Sequence, residues 1–218
     1  MNSFGKKWTF TSFGESHGAA IGGVLDGVPA GLHIDFEMVR AELDRRAGKG
    51  IAGASARAKS EPDEVEWLSG VIKSTEDRCQ VGDTDLITLG TPIAFIIRNK
   101  EARPEDYEVL KHSYRVGHAD KVYEQKYGIR DWRGGGRASA RETAGRVVAG
   151  CIAKQHLRLK GISIHAELIQ VGTETDPSKF NEYIEQVRSE GDSIGGIVEC
   201  RINGLPAGIG EQIGRAHV

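Results

Sequence analysis

Three consecutive glycines, Gly134 to Gly136, stand between arginines in the stretch "RDWRGGGRASARETAGRV" and lead into a helix-forming segment. Backbone without side chains either turns tightly or lies directly against another group. Ser139 followed three residues later by Glu142 is a capping-box pattern, which predicts a helix beginning near Ser139. Ala144, Val147, Val148, Cys151 and Ile152 give that helix an apolar side, and it can run to Leu157. The triplet then precedes the positive end of a helix. Successive N–H groups there can receive phosphate, with Arg137 and Arg141 adding charge on nearby turns. The pattern is neither a Walker motif nor a Rossmann fingerprint, and an ordinary solvated glycine-rich loop explains it about as well.

The composition of the whole 218-residue sequence narrows the classes. The chain is long enough for a sizeable core, as one domain or two joined lobes. With 39% hydrophobic and 28% charged residues it has globular composition, and 29 glycines against six prolines imply many turns. A formal net charge of -2 argues against a wholly basic nucleic-acid binder while leaving room for a local basic pocket. Cys79, Cys151 and Cys200 are widely separated, have no metal-ligand spacing and cannot all pair within one chain, so free cytosolic thiols are expected. The first residues lack a secretory apolar core, and no run of about 18 apolar residues could span a membrane. A cytoplasmic protein without membrane or nucleic-acid partners is the expectation.

Local patterns predict alternating short elements. "WTFTSFG" and "AAIGGVLDGVPAG" read as strands, the second ending in a glycine- and proline-rich turn. In "IDFEMVRAELDRR", Asp35 caps a helix on which Phe36, Val39 and Leu43 recur at helical spacing. Arg40, Arg45 and Arg46 lie toward its end, where basic residues simply complement the helix dipole. "AGKGIAGASARAKSEPDE" reads as an exposed loop, "VEWLSGVI" and "TPIAFIIRN" as strands. The stretch between those strands is a long loop or a hairpin. His17, beside Ser16 and Glu15, and His118, close to Asp120, are candidate proton carriers, although packed structural histidines are the commoner case. No nucleophile elbow accompanies Ser16, and the scattered histidines make no zinc site.

Taken in order, "FTSFGESHG", "GGVLDGVPAG", "ELDRR", "EPDEVEWLSGV", "GTPIAFIIRN", "HAD", "YGIRDWRGGGRASARETAGRVVAG" and "GDSIGGIVECRINGLPAGIGE" closely resemble chorismate synthases. The resemblance runs from Asn2 to Glu211 and implies a partial domain of that type over residues 1–211, with 212–218 as a divergent or truncated tail. It implies an α+β fold: a β-α-β sandwich with antiparallel sheets around central helices, usually assembled as a homotetramer. It also implies a lyase that converts 5-enolpyruvylshikimate 3-phosphate into chorismate and phosphate by 1,4-anti elimination. Reduced FMN donates an electron transiently as phosphate leaves and recovers it after hydrogen loss. NADPH would enter only through an associated flavin reductase activity.

Carried over residue by residue, the resemblance makes His17 the acid assisting the departing phosphate. His118 is the histidine that manages protonation of the reduced flavin. Arg137, Ala138 and Ser139 match the flavin-contact segment. Arg46 matches an arginine of the phosphate or nicotinamide-nucleotide region, with Arg40 and Arg45 as lesser candidates. Arg130 and Arg133 match the phosphate and flavin pocket, and Arg141 faces substrate or makes a structural ion pair. No metal is implied.

The sequence also departs from its relatives. "AGKGIAGASAR" replaces an arginine-proline-glycine turn and a following arginine, with Lys49 or Arg57 as possible charge replacements. Val116 stands in place of a usual proline, and Ala138 with Ser139 in place of paired serines. Relatives continue well beyond "GLPAGIGE" with further flavin contacts and a carboxylate near the reactive nitrogen. None of Glu211, Arg215 and His217 inherits that role. The competing expectation is a catalytically incomplete FMN- or anion-binding module, or an assembly module, derived from such an enzyme.

Overall fold

The structure is a computed structural model that describes residues 2–49, 63–73 and 86–209. It divides into two compact units, residues 1–153 and 154–218. Residues 50–62, 74–85 and 210–218 lie outside the described residues, and with them Arg57, Cys79, Glu211, Arg215, His217 and the divergent tail.

The first unit is built on a five-stranded antiparallel sheet in the order β1-β2-β3-β8-β5. Its strands are β1 (Ser3–Gly5), β2 (Thr9–Phe13), β3 (Ala20–Asp26), β8 (Ile93–Arg98) and β5 (Val65–Ser69). On β8, Ile93, Phe95 and Ile97 are fully buried, and their period-two spacing is why this apolar run forms a central strand. A second antiparallel sheet joins β4 (His33–Ile34), β7 (Leu86–Thr88) and β6 (Val71–Lys73) in the order β4-β7-β6.

The segment expected as one strand, "VEWLSGVI", is divided between these sheets at Gly70. Its backbone is left-handed, φ +78°, and a Cβ there would fall 2.5 Å from the Pro92 carbonyl oxygen, so only glycine makes the corner. The stretch left open as loop or hairpin contains β7, which returns antiparallel to β6.

Helix α1 (Phe36–Arg46) starts where its cap predicts: the Asp35 carboxylate accepts the Met38 N–H at 3.0 Å, and Val39 and Leu43 are buried. Helix α2 spans Asp120–Tyr127 and helix α3 spans Thr143–Arg158. Ala144, Val148, Ala149, Cys151 and Ile152 pack into the same core as Phe10, Ile21, Leu25 and Phe95. Gly145 permits this approach, since a Cβ there would lie 3.3 Å from the Gly22 carbonyl oxygen. The helix therefore sits close on the sheet, and its N-terminal turns are fixed relative to the β2 and β3 ends.

In the second unit, β9 (Ser163–Val171) and β10 (Gly196–Asn203) form an antiparallel ribbon with a bulge at Ile197/Val198. Helix α4 (Phe180–Ser189) follows a short turn capped by the Asp176 carboxylate. Among the described residues of this unit, Ile162, Val171 and Phe180 are the buried apolar ones.

Candidate functional site

Gly134, Gly135 and Gly136 all adopt left-handed backbone, at φ +57°, +86° and +52°. Three such residues in succession are accessible only to glycine without strain. The chain then makes a short 3-10 turn, Gly136–Ala138, and a second, Ala140–Glu142, before α3 begins. The Ser139 hydroxyl accepts the Arg141 N–H at 3.4 Å, an N-cap bond to the second residue of the turn rather than to the Glu142 N–H of the expected capping box. The reciprocal bond is absent as well: the Ser139 N–H donates to the Gly136 carbonyl, and the Glu142 carboxylate takes side-chain partners instead. It receives Ser12 Oγ at 2.6 Å, Arg146 at 3.0 Å and Arg137 at 3.1 Å. Charge-assisted bonds of this kind outweigh a return to one amide.

The opposite wall is the turn between β2 and β3. The Gly18 N–H donates to the Glu15 carbonyl at 3.0 Å, and Asn99 Nδ2 donates to the carbonyls of Glu15 and Gly18, each at 2.9 Å. His17 in this turn is 9% exposed. Its Nδ1 lies 3.0 Å from Ser16 Oγ, which donates to the Gly134 carbonyl at 3.4 Å. The Ser16 hydroxyl thus bridges the imidazole and the glycine turn, and the direction of its bond to Nδ1 follows the ring tautomer. The imidazole also meets the Tyr107 ring edge-on, centroids 4.8 Å apart.

A cleft of about 780 Å³ opens beside the glycine turn. Tyr123 and Tyr127 of α2, with Ile129 and Trp132, form an apolar and aromatic part of its wall; Arg130, Arg133, Arg137 and Ala138 supply the rest with Glu15 and Asp131. Each arginine has partners. Arg133 is held by Asp131 at 2.8 and 3.0 Å yet keeps 40% of its side chain exposed. Arg137 reaches Ser12 Oγ at 2.6 Å and the Gly14 carbonyl at 3.2 Å. Arg130 is 6% exposed; it donates to the carbonyls of Leu110 and Ser113, both at 2.7 Å, and to Glu124 at 3.0 Å. It also faces the Tyr114 ring at 5.2 Å. Arg130 thus straps the residues before α2 to the cleft.

The carboxyls respond to these surroundings in opposite ways. Burial raises the Glu15 pKa above its ordinary value; Arg137 opposes this and the Asp131 charge reinforces it. Burial also pushes Asp120 up, but hydrogen bonds and charge from Arg115, with the charge of Arg130, leave it lowered. For Glu142, burial is likewise outweighed, by bonds from Arg146 and Ser12 and the charges of Arg146 and Arg137, and its pKa is lowered.

A separate cluster joins Arg46 to Arg141. Both donate to the Asp63 carboxylate, Arg46 at 2.7 Å, and Arg141 Nε also donates to Asn99 Oδ1 at 2.9 Å. Arg141 is therefore a structural ion-pair partner here. Arg40 and Arg45 are exposed and stand apart from the cleft, Arg45 bound to Glu42 at 2.9 Å. His118 is exposed, its N–H donating to the Arg115 carbonyl at 3.4 Å; the neighbouring Ala119 lines the cleft. Sequence reasoning missed Asp63, Asn99 and Tyr107, which carry no local spacing signal, and gave Glu15 no role beyond its place beside His17.

Among the described residues no helix is long and apolar enough to cross a membrane, and no cluster of His, Cys, Asp and Glu is arranged to hold a metal ion. The fold, with antiparallel sheets flanking helices, is similar to a solved "Crystal Structure of Chorismate Synthase" at TM-score 0.61 and 28% identity, covering 90% of this chain and 58% of that one. The chorismate synthase of Christiangramia forsetii is 45% identical over 236 residues, covering 97% of this chain and 62% of its own length. That of Phocaeicola vulgatus is 44% identical over 243 residues, covering 100% and 64%. The chain thus spans less than two thirds of the length of the curated relatives it matches. The chorismate synthase family model matches residues 8–216, a span that takes in the β2–β3 turn, the glycine triplet and the cleft between them, and the chain belongs to the chorismate synthase family.

Proposed function

We propose that this chain forms the flavin- and phosphoryl-receiving part of a chorismate synthase site, with binding as its own activity. The carrying observation is the combination in one cleft of three arginines with the aromatic wall of Tyr123, Tyr127 and Trp132. Its volume is in the range of small-molecule sites. An apolar, flat wall suits an isoalloxazine ring and guanidinium groups suit a phosphate, so the residues present fit FMN. Arg137, Ala138 and Ser139 would hold it, and Arg133, the most exposed of the cleft arginines, would meet a phosphoryl group.

The second reading is complete turnover of 5-enolpyruvylshikimate 3-phosphate to chorismate and phosphate. It is favoured by His17, whose buried ring is held at Nδ1 by the Ser16 hydroxyl and whose imidazolium form has a proton to give to departing phosphate. When bound, reduced FMN supplies the transient electron donation for this elimination. His17 would give its proton to the phosphate, Arg133 and Arg130 would take up the negative charge, and His118 would manage a proton near the flavin. A homotetramer, a cytoplasmic setting and NADPH-dependent flavin reduction belong to this second reading.

Anaerobic titration with reduced FMN, followed by addition of 5-enolpyruvylshikimate 3-phosphate, tests both. Binding that Arg133→Ala weakens, without chorismate formation, supports the first reading. Chorismate and phosphate formation that His17→Ala abolishes supports the second. Folded protein that binds neither ligand overturns both.

A further inference from the structure

The glycine turn already holds an anion of its own. Glu15, 121 positions earlier, directs its carboxylate at this turn: a Cβ on Gly136 would lie 2.7 Å from Glu15 Oε2, and the Arg137 N–H donates to the same carboxylate. The group also lines the cleft. It is therefore an internal occupant of the backbone turn that was a candidate anion site from sequence.

We propose that Glu15 is the internal counter-anion of the cleft, so that a phosphomonoester dianion binds beside Arg133 and Arg137 together with one proton taken up from solvent by the Glu15 carboxylate. This rests on the phosphoryl-binding reading above and adds the residue that sets its charge selectivity. Two like charges in a half-buried cleft repel, and neutralising Glu15 removes the repulsion without moving an arginine. The turn itself is fixed by Asn99, which leaves the carboxyl little freedom to withdraw through the backbone.

The charges that face Glu15 define the balance. Arg137 and Arg133 favour its ionised form, Asp131 opposes it, and His17 shares its turn. Across the cleft, Asp120 is balanced by Arg115 and Arg130. Burial already disfavours the Glu15 anion, so protonation on ligand entry starts from a raised position.

Sulfate is the probe, because it stays dianionic between about pH 5 and pH 8, where phosphate and carboxyl titrations would overlap. At about pH 7.5, Glu15→Gln is expected to bind sulfate about tenfold more tightly than the unaltered protein, as one nearby negative charge is removed. The difference is expected to vanish as the pH falls and Glu15 protonates. In the unaltered protein, the Glu15 carboxyl carbon resonance reports the same event, and saturating sulfate should move its titration midpoint upward. That second measurement decides the matter if Glu15→Gln fails to fold. Absence of sulfate binding by the unaltered protein overturns both the cleft reading and this one. Sulfate binding with an unmoved Glu15 midpoint, or with the same pH profile in Glu15→Gln, overturns this inference alone.

Discussion

Gly134 lies flat against the His17 imidazole: a Cβ on Gly134 would fall 2.0 Å from both Cε1 and Nδ1 of that ring. The contact joins the glycine triplet to the candidate proton donor, and the Ser16 hydroxyl spans the same gap from Nδ1 to the Gly134 carbonyl. Gly134→Ala combines left-handed strain with this overlap and is expected to cost about 3 kcal/mol of unfolding free energy. Urea denaturation measures it. An unchanged midpoint would mean that the ring can turn aside freely, and His17 would then not be positioned by this contact.

Asp63 carries a different load. Its side chain is 4% exposed and lies between the guanidinium groups of Arg46 and Arg141, themselves 15% and 7% exposed. Removing the carboxylate charge strands two buried cations, so Asp63→Asn is expected to destabilise by about 3 kcal/mol. Combining it with Arg141→Met should recover part of the loss. Equal losses in the single and double variants would show that Asp63 does not neutralise Arg141.

Arg130 binds two backbone carbonyls and Glu124 at once, a task for a planar fork of donors. Arg130→Lys keeps the charge but cannot make all three bonds. Amide exchange over residues 104–118 is expected to speed up about tenfold, with the β3–β8 core unchanged. Mass-resolved hydrogen exchange distinguishes this from global loosening, which would accelerate both regions.

Acid stability follows from Glu142. Its folded pKa is lowered below the ordinary 4.5, so the folded state binds fewer protons than the unfolded chain in that window. The stabilisation is present above the unfolded pKa and is lost as pH falls through the folded one. Glu142→Gln should flatten the stability profile below about pH 4.5. Glu15 has the opposite sign: its pKa is raised, so its ionisation costs stability as pH rises past the unfolded value. Glu15→Gln is expected to stabilise the protein at neutral pH, and a lower thermal midpoint there would contradict this assignment.

Much of the local structure was legible because its causes are local. Asp35 and the spacing of Val39 and Leu43 define α1 within one short stretch, and the continuous apolar run in "IAFIIR" marks a buried strand. The apolar side of α3 was equally plain, and the helix ends at Arg158, one residue past the expected Leu157. The capping box failed because Glu142 found Ser12, 130 positions away, and Arg137 and Arg146. A sequence pattern cannot weigh such a partner.

The sequence by itself determined the family, helix α1, the apolar side of α3 and strands β2, β3 and β8, and it left the glycine run at 134–136 open between an anion-binding turn and an ordinary loop. Tertiary structure alone decided what that glycine turn faces. Pairing of β3 with β8 sets Ala20 against Arg98, which brings Asn99 to the β2–β3 turn and so places Glu15 over Gly136 and His17 against Gly134. The same folding draws Arg46 and Arg141 onto Asp63 and leaves Arg40 and Arg45 at the surface. Capping and periodicity act over a few residues, whereas burial and charge depend on which distant segments the sheet register brings together.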